Sequence, residues 1–166
     1  MEKKFELTDN FVINGFGIKL FQIKCTKSFK YANEGDLGGY VEKEDNLSQS
    51  GDAWVSGNAR VSGNAQVYGK AWVSGDAQVY GDAQVYGNAR VENNHMHCGF
   101  DCFGSCNRHT HAYKTKGNKV EITCGCFRGS LEEFEKKVEE THKGTIYEKQ
   151  YKAIINLIKI KFGIDG

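Results

Sequence analysis

The chain has 166 residues, 39% hydrophobic and 12% aromatic, which is enough apolar material for a buried core. Its 22 basic and 21 acidic side chains leave a formal charge of +1, arguing against bulk electrostatic attraction to nucleic acid or an anionic membrane. No stretch approaches the roughly 20 apolar residues of a membrane helix, and the opening MEKKFELTDN lacks the apolar core of a signal peptide, so a cytosolic location is expected. In that compartment the six cysteines (Cys25, Cys98, Cys102, Cys106, Cys124, Cys126) are expected as free thiols or metal ligands rather than disulfides.

Residues 1–50 carry strand-like runs at Lys4 to Leu7 and Ile18 to Lys24, followed by the glycine-rich EGDLGGYVEKEDNLS. Val41 and Leu47 are six apart, which marks the start of a first coil, but Leu47 stands eight before Val55. A two-residue irregularity is therefore expected where that coil meets the regular array. The segment is read as a β cap over one end of a solenoid, whose strand edges would otherwise lie open.

Residues 51–92 are seven unbroken hexapeptides: GDAWVS, GNARVS, GNAQVY, GKAWVS, GDAQVY, GDAQVY and GNARVE. Val suits a buried pleated position, Ala two residues earlier leaves room at a corner, and Gly supplies the positive φ of a tight turn. A turn every six residues is too short for ordinary hairpins and suits a parallel coil. The array resembles the hexapeptide-repeat left-handed parallel β-helices, in which three hexapeptides close one triangular coil. That resemblance implies a short left-handed β-helix of about 2.3 to 3 coils.

Residues 93–108 (NNHMHCGFDCFGSCNR) read as a Cys/His/Gly-rich connection, and residues 109–166 as a compact C-terminal domain. His109 to Thr115 and Val120 to Cys126 alternate around KGNK and predict a hairpin with Gly117-Asn118 as its two loop residues. Ser130 to Glu133 and Thr145 to Glu148 have capping-box form and predict two helix starts. Leu131, Phe134 and Val138 form one apolar stripe; Tyr147, Tyr151, Ile154, Ile155, Ile158 and Phe162 form the other. The predicted architecture is mainly β: an N-terminal β cap, the β-helix and a hairpin plus two-helix (ββαα) cap.

GDLGGYVEKE at 35–44, CGCF-x-G-x-LEEF at 124–134 and V-x-x-T-H at 138–142 resemble motifs of phage and prophage proteins that carry hexapeptides. The resemblance implies a viral accessory protein acting in the host cytosol, and leaves its task open.

Three chemistries are compatible with these residues. Many hexapeptide β-helices resemble acyltransferases with a catalytic His on or beside a coil, but no hexapeptide here contains His; the nearest are His95 and His97. A metal site is the second. With a two-residue Gly117-Asn118 turn, His111 faces Cys124 and His109 faces Cys126, so these four could hold a structural zinc. The competing reading makes the same cysteines small hydrophobes in the core. Apart from that zinc, no cofactor is expected.

The third is a binding surface. The 18-residue coil period stacks Trp54, Trp72 and Arg90 on one face, Tyr68 over Tyr86 on another, and Arg60 with Tyr80 on the third. Such aromatic and Arg positions suit a target site or an oligomer interface, with a trimer favoured, or cover by the N-terminal segment. The resulting expectation is a non-catalytic phage accessory homo-oligomer that binds and inhibits or sequesters a host component, a defence protein or a small nucleotide signal. The alternatives are a structural part of the virion and, third, an acyltransferase.

Overall fold

The chain divides into two compact units, Met1–Asn94 and His95–Gly166; the computed structural model describes residues 2–164.

The first unit is built on the hexapeptides, each of which contributes one two-residue strand. These are β4 (Trp54–Val55), β5 (Arg60–Val61), β6 (Gln66–Val67), β7 (Trp72–Val73), β8 (Gln78–Val79), β9 (Gln84–Val85) and β10 (Arg90–Val91). Strands 18 residues apart pair in parallel, β4 with β7 and then β10, β5 with β8, and β6 with β9, giving three faces. All seven Val are fully buried, with the Ala residues beside them.

Backbone bonds from one coil to the next, such as Trp54 N to Ala71 O and Trp72 N to Ala89 O at 3.0 Å each, leave few polar groups unsatisfied inside. The corner glycines have φ near +60° to +70° and stack on each other. A Cβ on Gly51 would lie 2.7 Å from Gly69 O, so the corner tolerates neither a side chain's φ preference nor its volume.

The first coil is longer. Val41 pairs with Val61 and Leu47 bridges Val67, each a separation of 20 residues against 18 in the array. The expected two-residue surplus lies between Leu47 and Val55. Ahead of it, β1 (Phe5–Ile13), β2 (Lys19–Cys25) and β3 (Leu37–Val41) extend one solenoid face in the order β1-β2-β3-β5-β8, with β3 parallel to β5 and the β1–β2 and β2–β3 pairs antiparallel.

The carbonyls of the outermost coil have no preceding strand, and side chains serve them instead. Lys4 Nζ donates to Ala53 O at 2.8 Å and Gly51 O at 3.3 Å. Asn46, fully buried in the 3-10 turn Glu44–Asn46, donates from Nδ2 to Ala65 O at 2.8 Å and Gly63 O at 3.1 Å.

The second unit is a four-stranded antiparallel sheet carrying two helices. Its strands are β11 (His97–Phe103), β12 (Arg108–Lys114), β13 (Val120–Cys124) and β14 (Phe127–Ser130), neighbours in chain order; its helices are α1 (Leu131–His142) and α2 (Ile146–Phe162). Much of the predicted connection at 93–108 is therefore strand, and the ββαα reading becomes four strands followed by two helices. Gly and Cys concealed β11 because neither residue type alternates in hydrophobicity as a half-buried strand does.

Both helices start at the predicted caps. Ser130 Oγ accepts from Glu133 N while Glu133 Oε2 accepts from Ser130 N, and Thr145 Oγ1 accepts from Glu148 N. Leu131, Phe134, Val138, Tyr151, Ile154, Ile155 and Ile158 close over Ala112, Val120, Ile122 and Cys124.

The β12–β13 turn corrects the predicted register. Thr115 N bonds Lys119 O and Asn118 N bonds Thr115 O, both at 2.9 Å, so the loop has three residues, Lys116 to Asn118. Asn118 has φ 58°, the left-handed residue that completes a three-residue hairpin loop. Pairing slips by one: Cys124 faces Thr110, and His111 faces Thr123. No described helix is long and apolar enough to cross a membrane.

Candidate functional site

Trp54, Trp72 and Arg90 do stack in register on one solenoid face. They do not form an open patch. The segment between β2 and β3 crosses them, setting Phe29 edge-on to Trp54 (5.4 Å between centroids) and Tyr31 flat on Trp72 (5.3 Å, 20° between planes). The Arg90 guanidinium lies 4.8 Å from the Trp72 ring and 4.7 Å from the Tyr31 ring, and donates from Nη2 to Tyr31 Oη at 2.8 Å.

Trp54 is only 2% exposed, and Trp72 donates from Nε1 to Ser56 Oγ at 2.7 Å. Backbone bonds hold the covering segment: Cys25 N to Asp36 O and Gly35 N to Cys25 O, both 2.8 Å, and Thr26 N to Lys4 O at 2.9 Å. The aromatic and Arg groups are thus spent on closing the N-terminal segment over the solenoid. Of the three occupants expected for that ladder, the chain itself takes the place.

The other predicted positions remain outward. Tyr68 and Tyr86 pack with centroids 4.7 Å apart, tilted by 39°, and Tyr68 Oη donates to Gln84 Oε1 at 3.2 Å. Tyr86 is 36% exposed and Tyr80, on the adjoining face, 64%. Arg60 pairs in register with Tyr40 and Gln78 on Tyr80's side of the prism, away from the Tyr68/Tyr86 pair. Beside Tyr68 lies an open cleft of about 330 Å³, walled by Glu44, Asp45, Leu47, Ser48, Gln49 and Gln66. Its charged groups are Asp45 and Glu44, the latter paired with Lys3 at 2.7 Å; one wall belongs to the irregular first coil and the other, Gln66 to Tyr68, to the repeating ladder.

In the second unit the slipped register separates the proposed zinc ligands. Residues directly opposite in an antiparallel pair share a face, so Cys124 sits with Thr110, Ala112 and Ile122 on the helix-covered face. His109 and His111 fall on the reverse face. Cys126 is exposed in the turn between β13 and β14. The set His109, His111, Cys124 and Cys126 therefore does not converge, and among the described residues no three His, Cys, Asp or Glu are grouped to hold a metal ion.

On the covered face, the Cys124 thiol accepts from Thr110 Oγ1 at 3.2 Å and lies 3.7 Å from Tyr151 Oη. Burial, then the Cys124 contact, pushes the Tyr151 phenol well above its ordinary pKa. Burial likewise pushes the Cys98 thiol up to about 11. Neither group is tuned toward nucleophilic work near neutrality.

The reverse face carries a polar cluster that sequence reasoning did not assemble. His97 Nδ1 meets His111 Nε2 at 2.9 Å, and His109 Nδ1 meets Asp101 Oδ1. The His109 ring lies against Gly99, where a Cβ would come 2.6 Å from it, so the glycine makes the space the imidazole fills. The β11–β12 pairing brings these groups together, and the Gly/Cys-rich sequence of β11 carries no strand signal that would reveal it. Phe29 and Tyr31 were missed for a different reason. Their one signal was a pair of aromatics in an otherwise polar stretch, SFKY.

The YdcK beta-solenoid repeat family model matches residues 53–69, 59–75 and 83–96. The array is thus a repeat β-solenoid. No curated protein matches the chain.

Proposed function

We propose that the chain is a non-catalytic binding protein of phage or prophage origin, a left-handed coil acting as a homo-oligomer in the host cytosol, which captures a host protein through the solenoid face bearing Tyr68 and Tyr86. The observation that carries this reading is the tyrosine pair held rigidly outward beside an acidic cleft. Tyrosine combines large contact area with few rotatable bonds, which suits recognition by a preformed surface. The lead-in and tail motifs, 35–44 and 124–134, support the viral origin.

A protein target is favoured over a nucleotide. Arg90 is engaged with Tyr31 and Trp72, and the only charged groups lining the cleft beside Tyr68 are Asp45 and Glu44, the latter paired with Lys3, so its lining offers phosphate no cation. Acyl transfer is disfavoured because no hexapeptide supplies a His to act as general base.

Native mass spectrometry of the protein as purified tests the assembly, with a trimer expected. Affinity capture with the wild type and with Tyr68→Ser/Tyr86→Ser tests the surface, since one host protein should be retained by the first and lost from the second. A bare monomer, or capture that ignores both tyrosines, would overturn this reading. Steady acetyl-CoA turnover would do the same.

A further inference from the structure

We propose that Asn14, in the loop joining β1 to β2, is a site of self-modification, where the folded chain converts its own side-chain amide to a carboxylate by intramolecular attack and hydrolysis. Asn14 is followed by Gly15, whereas every other asparagine of the chain is followed by a residue that carries a Cβ. A Cβ crowds the peptide nitrogen and restricts the dihedral angles that bring it onto the side chain before it. The Gly15 nitrogen is therefore the least hindered nucleophile that any asparagine here has beside it. Gly15 is exposed, and a Cβ built on it would meet nothing within 4 Å.

The fold adds what the dipeptide alone lacks. Asn14 Oδ1 accepts from Phe16 N and from Ile18 N, both at 3.0 Å, which folds the side chain over its own turn. The loop backbone is closed by Asn14 N to Ile18 O and Gly17 N to Asn14 O, also 3.0 Å each. Among the described residues, neither the Gly15 N–H nor Asn14 Nδ2 has a hydrogen-bond partner. Nucleophile and leaving group are thus unengaged, and the oxygen between them is bonded twice.

That division matches the charge flow of the reaction. Loss of the Gly15 N–H proton to hydroxide lets the nitrogen bond to Asn14 Cγ, which puts a negative charge on Oδ1. Collapse of this intermediate breaks the Cγ–Nδ2 bond, and the nitrogen takes up a proton from water and leaves as ammonia. Water then opens the five-membered succinimide. Breaking the bond from Gly15 N to Cγ gives aspartate at position 14, and breaking the bond from Gly15 N to the main-chain carbonyl carbon gives isoaspartate. The sum consumes water and releases ammonia, with no other reactant. The Phe16 and Ile18 N–H groups bond a neutral oxygen before the attack and an oxyanion during it. Bonds that strengthen as charge develops lower the barrier. The new carboxylate stands between Ile13, 58% exposed, and Phe16, 91% exposed, so an apolar hairpin tip becomes a charged one as the molecule ages.

The test keeps the full chain folded in mildly alkaline buffer over days and maps its peptides by mass spectrometry. The peptide carrying residue 14 should gain the mass of an NH2 to OH exchange while the other asparagines keep their amides. On isoelectric focusing the formal charge should fall from +1 to 0. Gly15→Ala, for which the loop has room, should slow the conversion several-fold with the far-ultraviolet circular dichroism unchanged. A blocked synthetic peptide of residues 11–18, which has the dipeptide without the hairpin, should convert several-fold more slowly than the folded chain. No gain at residue 14, an earlier gain at another asparagine, a rate that ignores Gly15→Ala, or a peptide as fast as the protein overturns the proposal. Tyr68→Ser/Tyr86→Ser should convert at the wild-type rate, which separates this site from the tyrosine face.

Discussion

The two units bury their cores in opposite ways. In the solenoid every buried array position is Ala or Val apart from Trp54, and each contact recurs one coil further on, so stability is a sum of similar small terms between neighbours. In the second unit no contact recurs. Phe134 touches Phe127 and Tyr151 at centroid distances of 5.1 and 5.6 Å, and nothing elsewhere in that core substitutes for it. Repetition spreads risk over many positions, whereas a core of unlike side chains concentrates it in a few.

The strongest challenge to that contrast is Phe134→Ala, which should cost about 3–5 kcal/mol by opening a cavity at a buried aromatic. Both tryptophans lie in the solenoid and both helices in the second unit. In a urea titration, helical circular dichroism should therefore shift much further than tryptophan fluorescence. Coincident shifts would show that the two cores unfold as one.

A second pair of changes tests the repeat itself. Gly75→Ala puts a Cβ at φ 59° into the Glu92 carbonyl, whereas Gly81→Ala, at φ 66°, meets open space. The first should cost about 3 kcal/mol and the second about 1, since only the first adds steric conflict to the left-handed penalty. Equal losses of thermal stability would mean that the stacking does not set the requirement for glycine.

Lys4→Met leaves the Gly51 and Ala53 carbonyls without their donor and should cost about 1–2 kcal/mol. The same residue makes stability depend on pH. Burial holds the Lys4 pKa down at about 8 against an ordinary 10.5, so between those values the unfolded chain binds more proton than the folded one. The Lys4 contribution to stability therefore rises with pH across that window, and below about 8 the cost of burying the charge is felt in full. The difference between wild type and Lys4→Met in denaturant midpoint should consequently widen from pH 8 to 10.

The smallest effect concerns the turn that sets the register of the second sheet. Asn118→Gly relieves a left-handed residue but loses the 2.9 Å bond that Lys114 Nζ donates to its side chain. Stability should change by no more than about 0.5 kcal/mol in either direction. A large loss would mean that the side-chain bond, rather than the backbone conformation, holds the loop at three residues.

Redundancy also explains what could be read in advance. The array's period, its three faces and the surplus before Val55 followed from residues that state the same register seven times. The His109, His111, Cys124 and Cys126 grouping depends on one turn, and a single extra loop residue, Lys116, puts Cys124 on the opposite side of the sheet from His109 and His111. The helix caps were legible because Ser130, Glu133, Thr145 and Glu148 act within one turn of chain. The cover over Trp54 and Trp72 was not, because Phe29 and Tyr31 reach them across more than twenty residues without any pattern that repeats.

The three-faced coil also restricts how the gene for such a chain can lengthen or shorten. Gain or loss of three consecutive hexapeptides adds or removes a whole turn and returns every later residue to its former side of the prism. Loss of one hexapeptide between Trp54 and Trp72 would rotate everything downstream by a third of a turn, carrying the Trp72 and Arg90 positions out from under Tyr31. Viable length variants of this array should therefore differ from it in multiples of eighteen residues.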